Sequence, residues 1–402
     1  MTHGSITSLA GLGRPGWDDD PQLPAWESRA PLTGTVHADA CVIGLGGSGL
    51  AAAEDLAARG LAVVGIDAHR IAGGAAGRNG GFLSCGGAMG LASFEAGSTV
   101  PLESREQLYL ATRAELERLL DRLGPSVVRR TGSLSLAGLP GAPMYDGHAQ
   151  DAADYLDHLR AERDALASIG IAVQDYEGEL GQGYFNPDTA SVNPVRRAFQ
   201  VAAALPRSVR LYEHSPVTDV RAGAVTTRDG VVRAPVIVVA VDGRLDVLLP
   251  QLAELVRTVR LQMLTTAPIA VGRLSCGVSY RDDFEWAQQD PAGRLLIGGG
   301  RDRFAAAEET LDDQPTEQVQ RWIERAASRV AGQPVQITHR WAASVGYTAD
   351  RRALCIEVDD GVVACGGYSG SGNLVGPVAA RAAVALAVDG TVPAGYLRST
   401  FD

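Results

Sequence analysis

The chain has 402 residues, more than one ordinary core accommodates, so two interleaved domains are expected. Its 46% hydrophobic and 21% charged residues are those of a globular protein, and a net charge of −11 argues against nucleic acid or an anionic membrane as partner. No apolar run approaches the roughly 20 residues of a membrane span, and the N-terminus lacks the pattern of a signal peptide.

Residues 1–37 carry Gly, Pro, Asp and Ser without an apolar period and read as a surface arm, with Trp17 and Trp26 positioned to pin it to the body. Cys41-Val42-Ile43 is a short apolar run that reads as a buried strand. It enters Gly44-Leu45-Gly46-Gly47-Ser48-Gly49, which fits G-x-G-x-x-G. An Ala- and Leu-rich helix follows to Arg59, with Gly60 as its C-terminal stop. Residues 61–66 form a second apolar strand that ends at Asp67, 18 residues after Gly49. This is a complete βαβ dinucleotide unit. Gly44 permits the turn, Gly46 admits a pyrophosphate against the backbone, and Gly49 lets helix and strand pack closely. The N–H groups at the helix start, including those of Gly47 and Ser48, face the phosphates, and Asp67 faces a ribose hydroxyl.

Further along, 102–123 is an amphipathic helix with Leu108, Leu116, Leu119, Leu120 and Leu123 inward. A strand is expected at 132–139, and a second amphipathic helix at 152–169. Asn193-Pro194 opens another helix as N-cap and first-turn proline. Strands return from Val209, with Asp229-Gly230 as a hairpin turn, and a fully apolar strand over 235–241 runs into Asp242-Gly243. Residues 256–269, 285–289 and 294–298 alternate as antiparallel strands do, and 316–330 is helical. The chain closes with strands at 355–358 and 362–365, a glycine-rich loop, and a helix over 375–388. Five cysteines, an odd number without C-x-x-C, fit a reduced cytoplasm, and no Cys/His spacing suggests a metal. There is no lysine: all 36 basic side chains are arginine.

After Asp67 the chain reads Gly73-Gly74-Ala75-Ala76-Gly77-Arg78-Asn79-Gly80-Gly81-Phe82. Here it resembles the FAD-dependent amino-acid and amine oxidoreductases, the family of glycine oxidase, D-amino-acid oxidase, sarcosine oxidase and γ-glutamylputrescine oxidase. The G-A-S-G-R-N-G-G signature of the last branch stands at positions 74–81, with Ala76 in place of serine. The resemblance covers nearly everything after Asp39. It implies a mixed α/β fold, a Rossmann-type FAD-binding domain with an inserted substrate domain built on an antiparallel sheet. The expected FAD-binding pieces are 38–95, 186–250 and 335–402, and the expected substrate-domain pieces are 96–185 and 251–334.

The resemblance places Ala75, Gly77, Arg78, Asn79 and Gly80 beside the flavin, Val217 at the adenine and Gly243 at a strand end that meets FAD. A second motif, Gly366-Gly367-Tyr368-Ser369-Gly370-Ser371-Gly372-Asn373, resembles the family's G-x-S-G-x-G. It puts Gly367, Gly370, Ser371, Gly372 and Asn373 at a helix N-terminus whose dipole faces the negative charge of reduced flavin. A third, from Arg340-Trp341 to Tyr347-Thr348-Ala349-Asp350, offers Tyr347 as a substrate-facing side chain or, equally, a core tyrosine. With Arg78 and Asn79, Tyr347 completes the candidate catalytic set. His214 and His339 read as structural.

Departures from the family shape the expectation. Val345 stands where sarcosine oxidases carry their flavin-linking cysteine, and no histidine lies between Gly73 and Phe82, so FAD should be noncovalent. Leu374 replaces the loop lysine that holds a substrate carboxylate, and the oxygen-activating lysine must be absent too. The implied reaction is oxidation of a C–N bond of a small amine or amino-acid derivative by hydride transfer to flavin. Molecular oxygen is the expected acceptor. A dehydrogenase using an electron carrier and a flavin-binding subunit without turnover are the alternatives. An amine without an adjacent carboxylate is the expected substrate unless an arginine such as Arg78, Arg340, Arg281 or Arg301 supplies the missing clamp.

Overall fold

The computed structural model describes residues 13–92, 100–140, 149–281 and 283–401. The chain's first sheet has seven strands in the order Val209–Tyr212, Val63–Ile66, Ala40–Ile43, Val236–Val239, Val362–Gly366, Ala353–Asp359 and Leu397–Arg398. The first five run parallel. The apolar runs of the inner four are buried because both faces of the sheet are covered, whereas Val209–Tyr212 at the edge is only partly so. Helices Gly47–Ala58 and Gly372–Asp389 pack on one face around Val42, Leu56, Val238 and Ala379. On the other lies a four-stranded sheet of Gly34–His37, Gly230–Arg233, Ala224–Thr227 and Val217–Arg221, contributing Val225 and Val232. The hairpin expected at Asp229-Gly230 joins its two central strands.

The arm differs from the sequence expectation. Its first twelve residues lie outside the described residues. Of the rest, Gly34–His37 is a strand, paired in parallel with Gly230–Arg233, where Thr35 and Val36 suit a pleated edge. Both tryptophans do anchor the arm. Trp17 is buried and its indole N–H donates to Asn79 O at 2.8 Å. Trp26 stacks on Phe199 and donates to the buried carboxylate of Glu213.

The second large sheet has eight strands: Ile337–Tyr347, Arg257–Pro268, Arg294–Gly299, Glu285–Gln289, Gly277–Tyr280, Ser133–Leu136, Gly181–Asn186 and Gln174–Gly178. All neighbours are antiparallel except Gly277–Tyr280 with Ser133–Leu136, which joins the two inserted segments. Helix Glu317–Ala331 lays Val319, Ile323, Ala326, Ala327 and Val330 on this sheet, the spacing of one helical face. The strand Ile337–Tyr347, grouped above with the cofactor-domain pieces, instead pairs along its length with Arg257–Pro268. The strand is buried from His339 to Ala343, with Trp341 fully enclosed, and its last residue, Tyr347, reaches the cavity wall. The helices expected near 102–123 and 152–169 form as Leu102–Leu123 and Ala149–Ser168. Asn193 caps Pro194–Ala203, accepting from Val195 N and Arg196 N. Among the described residues no helix is long and apolar enough to cross a membrane.

Candidate functional site

A cavity of about 860 Å³ lies between the two large sheets. Its floor is the βαβ unit. Gly44 has φ +90°, and a Cβ there would sit 2.6 Å from Ala240 O. At Gly49 a Cβ would sit 1.7 Å from Gly44 O, so this glycine is required by helix–strand packing and does not itself line the cavity. Gly46, Gly47 and Ser48 do line it. Apart from chain neighbours and its own helix, the nearest atom to the Cβ position of Gly47 is 3.9 Å away, and at Gly74 none lies within 4 Å, so both backbones face open space. Asp67 lines the cavity beside Val217. Its carboxylate accepts from Leu45 N at 2.7 Å and His69 N at 2.8 Å, while burial pushes its pKa up.

Two glycine-rich segments nearly 300 residues apart meet over this floor. Asn373 Nδ2 donates to Asn79 Oδ1 at 3.0 Å, and Asn79 Nδ2 returns a longer contact of 3.4 Å to Asn373 Oδ1. Asn79 also donates to Ala75 O and Ala76 O and accepts from Gly81 N, which fixes the loop's shape. Arg78 braces the same loop. Its guanidinium donates to Gly73 O, Gly13 O and Ala342 O, and its carbonyl accepts from the buried Trp341 indole at 2.8 Å. Ala75, Arg78, Asn79, Gly80, Gly370, Ser371, Gly372 and Asn373 all line the cavity. Gly77, Gly243 and Gly367 do not. They serve close approaches instead: a Cβ at Gly77 would lie 2.1 Å from Ala72 O, one at Gly243 2.7 Å from Ser344 C, and Gly367 has φ +68°.

Asp242 was not singled out by the sequence, yet it ties three segments together. It sits at φ +43° after strand Val236–Val239. Its carboxylate accepts from Gly346 N at 3.2 Å, Gly367 N at 2.9 Å and Tyr368 N at 3.2 Å. Burial pushes its pKa up to about 6 despite these donors. The only local signal is an acid at the end of an apolar parallel strand, where sites gather.

The far end of the cavity is lined by Tyr347, Trp286, Met263 and Arg301; the sequence offered Tyr347 as a substrate-facing side chain and Arg301 as one of several candidate clamps, and it marked neither Trp286 nor Met263. Arg301 lies over the Tyr347 ring at 4.7 Å and the Phe284 ring at 5.3 Å. No carboxylate pairs with it among the described residues. The other candidate arginines are engaged elsewhere. Arg281 is buried against Glu285 and Asp302, Arg340 pairs with Glu324 at 2.7 Å, and neither lines the cavity. His214 and His339 also lie off it, bonded to Ser28 and beside Asp19. Val345 lines it. Cys85, the cysteine nearest the site, donates to Asp188 O, and burial pushes its thiol up to about 12, so it stays protonated.

The cavity thus offers a dinucleotide cradle at one end, a cationic and aromatic chamber at the other, and between them a glycine-rich neck suited to a flat ring. These residues fit FAD. Comparison with known proteins agrees. A probable oxidoreductase, OrdL, of Rhizobium meliloti (strain 1021) is 28% identical over 371 residues, covering 86% of this chain and 81% of that protein. Glycine oxidase from Geobacillus kaustophilus has the same fold, with a TM-score of 0.70 at 20% identity over 89% of this chain and 96% of that one. L-proline dehydrogenase from P. horikoshii gives 0.69 at 16% identity over 90% and 95% of the two chains. Iminodiacetate oxidase from Chelativorans sp. BNC1 gives 0.68 at 18% over 90% and 99%. The family model described as DAO, FAD dependent oxidoreductase, matches residues 39–386, and the chain belongs to that family of FAD-dependent oxidoreductases.

Proposed function

We propose that this enzyme oxidises a C–N bond of a small amino-acid derivative, with FAD bound noncovalently along the cavity. The observation that carries the substrate class is Arg301, a cavity guanidinium with ring contacts but no carboxylate partner among the described residues. A substrate carboxylate would complete it by a charge-assisted pair. This revises the sequence expectation of a carboxylate-free amine, which rested on the absence of a clamp. Bound FAD supplies the two-electron acceptor for the substrate's Cα–H bond. The neutral amine would give up hydride from that carbon as its nitrogen lone pair forms the C=N bond, the resulting iminium would release a proton from nitrogen to solvent, and water would hydrolyse the imine to a carbonyl compound and an amine.

In this reading Gly44, Gly46, Gly47, Ser48 and Gly49 form the pyrophosphate turn, Asp67 and Val217 flank the adenosine, and Ala75–Gly80 with Gly370–Asn373 clasp the flavin. Arg78 and Asn79 hold that clasp rather than touch the substrate, and Tyr347 walls the substrate chamber. The FAD domain comprises 38–95, 186–250 and most of 335–402; the substrate domain comprises 96–185, 251–334 and the strand Ile337–Tyr347. We place the enzyme in the cytoplasm. The test is anaerobic bleaching of the flavin by matched pairs, an amino acid and its decarboxylated amine, such as sarcosine and dimethylamine. Faster bleaching by the acid of each pair is expected; equal or slower bleaching would overturn the assignment of Arg301.

Molecular oxygen is the acceptor in this proposal. Transfer to an electron carrier is the second reading, favoured by the absence of any lysine to sit over the flavin. Oxygen uptake by the substrate-reduced enzyme separates the two. FAD should also leave the polypeptide on acid precipitation, because Val345 and a protonated Cys85 offer no link. Yellow colour retained in the washed pellet would contradict this.

A further inference from the structure

We propose that Arg197 binds the pyrophosphate of the FAD cofactor, as a cationic ligand supplied by the middle of the chain. The inference rests on FAD occupying the cavity. Arg197 stands on helix Pro194–Ala203, is 6% exposed and lines the cavity. Its one described hydrogen bond, Nη1 to Asn373 Oδ1, is long at 3.4 Å. An unpaired buried guanidinium is destabilising, and burial pushes its pKa down to about 10.

Carboxylates are near, but other arginines hold them. Glu115 pairs with Arg118 at 3.1 Å and Arg381 at 3.0 Å. Glu54 pairs with Arg122 and, at 3.5 Å, with Arg118. Arg197 is thus left without a carboxylate of its own among the described residues, which suits it to an anionic ligand.

The position of Arg197 selects that anion. Nη2 is 3.9 Å from the Cβ position at Gly47, in the first turn of helix Gly47–Ala58. Nη1 touches Asn373, in the first turn of helix Gly372–Asp389. Neither helix start has a side-chain cap, so the guanidinium stands between two sets of free N–H groups, those of Gly47–Ala58 at the dinucleotide turn and those of Gly372–Asp389 at the flavin clasp, and it reaches the first. The glycine spacing assigns that turn to the pyrophosphate. Arg197 has no sequence mark of its own: it follows Arg196, whose guanidinium bonds Gln22 on the surface.

The test titrates full-length, deflavinated protein with FAD and with riboflavin, which lacks the pyrophosphate, following flavin fluorescence. Arg197→Met should weaken FAD binding by about 10- to 100-fold and leave riboflavin binding unchanged. Arg197→Lys should fall between, since a point charge replaces the fork. The Tm of the FAD-free protein should stay level or rise in Arg197→Met, because an unpaired charge is removed, while the rise in Tm on adding FAD shrinks. Equal FAD affinity in variant and wild type would overturn the proposal, as would parallel loss of FAD and riboflavin. Should Arg197→Met fail to fold, Arg197→Gln carries the same comparison. A wild-type protein that binds no FAD would instead overturn the cofactor's placement in the cavity.

Discussion

Gly46→Val is expected to yield folded protein without bound flavin. Gly46 is the residue before helix Gly47–Ala58, with ordinary extended backbone at φ −80°, so valine strains no dihedral. Its Cβ would sit 3.1 Å from Ala76 Cβ, and its methyl groups would project into the space between the helix start and the flavin loop. The fold therefore survives while the pyrophosphate's closest approach is blocked. An absorbance ratio of flavin to protein near zero after gel filtration is the expected reading. Gly49→Val is the control with the opposite cause, since its Cβ would lie 1.7 Å from Gly44 O and should prevent folding. Asp67→Ala should weaken FAD binding less, by about 1–3 kcal/mol. Part of that loss comes from leaving Leu45 N and His69 N without their acceptor. If Gly46→Val keeps full yellow colour, the first βαβ unit is not the FAD site.

Arg301→Ala is expected to lower kcat/KM for a carboxylate-bearing substrate by roughly 10- to 100-fold, the value of a charge-assisted hydrogen bond. The decarboxylated amine should change little, because it makes no bond to the guanidinium. Flavin content should also hold, as Arg301 lies at the Tyr347 end of the cavity and its described contacts are the rings of Phe284 and Tyr347. Steady-state kinetics on both substrates, with flavin content measured in parallel, separates these terms. An equal fall for both substrates would assign Arg301 to the shape of the chamber, through its stacking on Tyr347, and not to substrate charge.

Much of the cofactor end was legible because its chemistry is local. A strand, a glycine turn, a helix and an acid lie within thirty residues, and each follows from propensity and spacing alone. Caps such as Asn193 and turns such as Asp229-Gly230 are equally short-range. Legibility failed first where strands are polar or edge-exposed. Gln174–Gly178 is largely exposed, so no apolar alternation marks it, and Gly34–His37 becomes a strand only because Gly230–Arg233 offers it an edge.

The sequence by itself determined the family, the dinucleotide turn and the two glycine-rich loops, because those rest on contacts between near neighbours in the chain. Only the tertiary structure decided where each motif residue lies. Gly49, Gly77, Gly243 and Gly367 stand in motifs but serve packing, whereas Gly46 and Gly47 face the cavity. It also decided which arginine is available. Arg281, Arg301 and Arg340 are alike in sequence. Arg281 meets Glu285 and Asp302, Arg340 meets Glu324, and Arg301 reaches the cavity without such a partner among the described residues. The reason is that a charge's role is set by what lies within a few ångströms of it, and those neighbours come from distant segments brought together by the pairing of whole sheets.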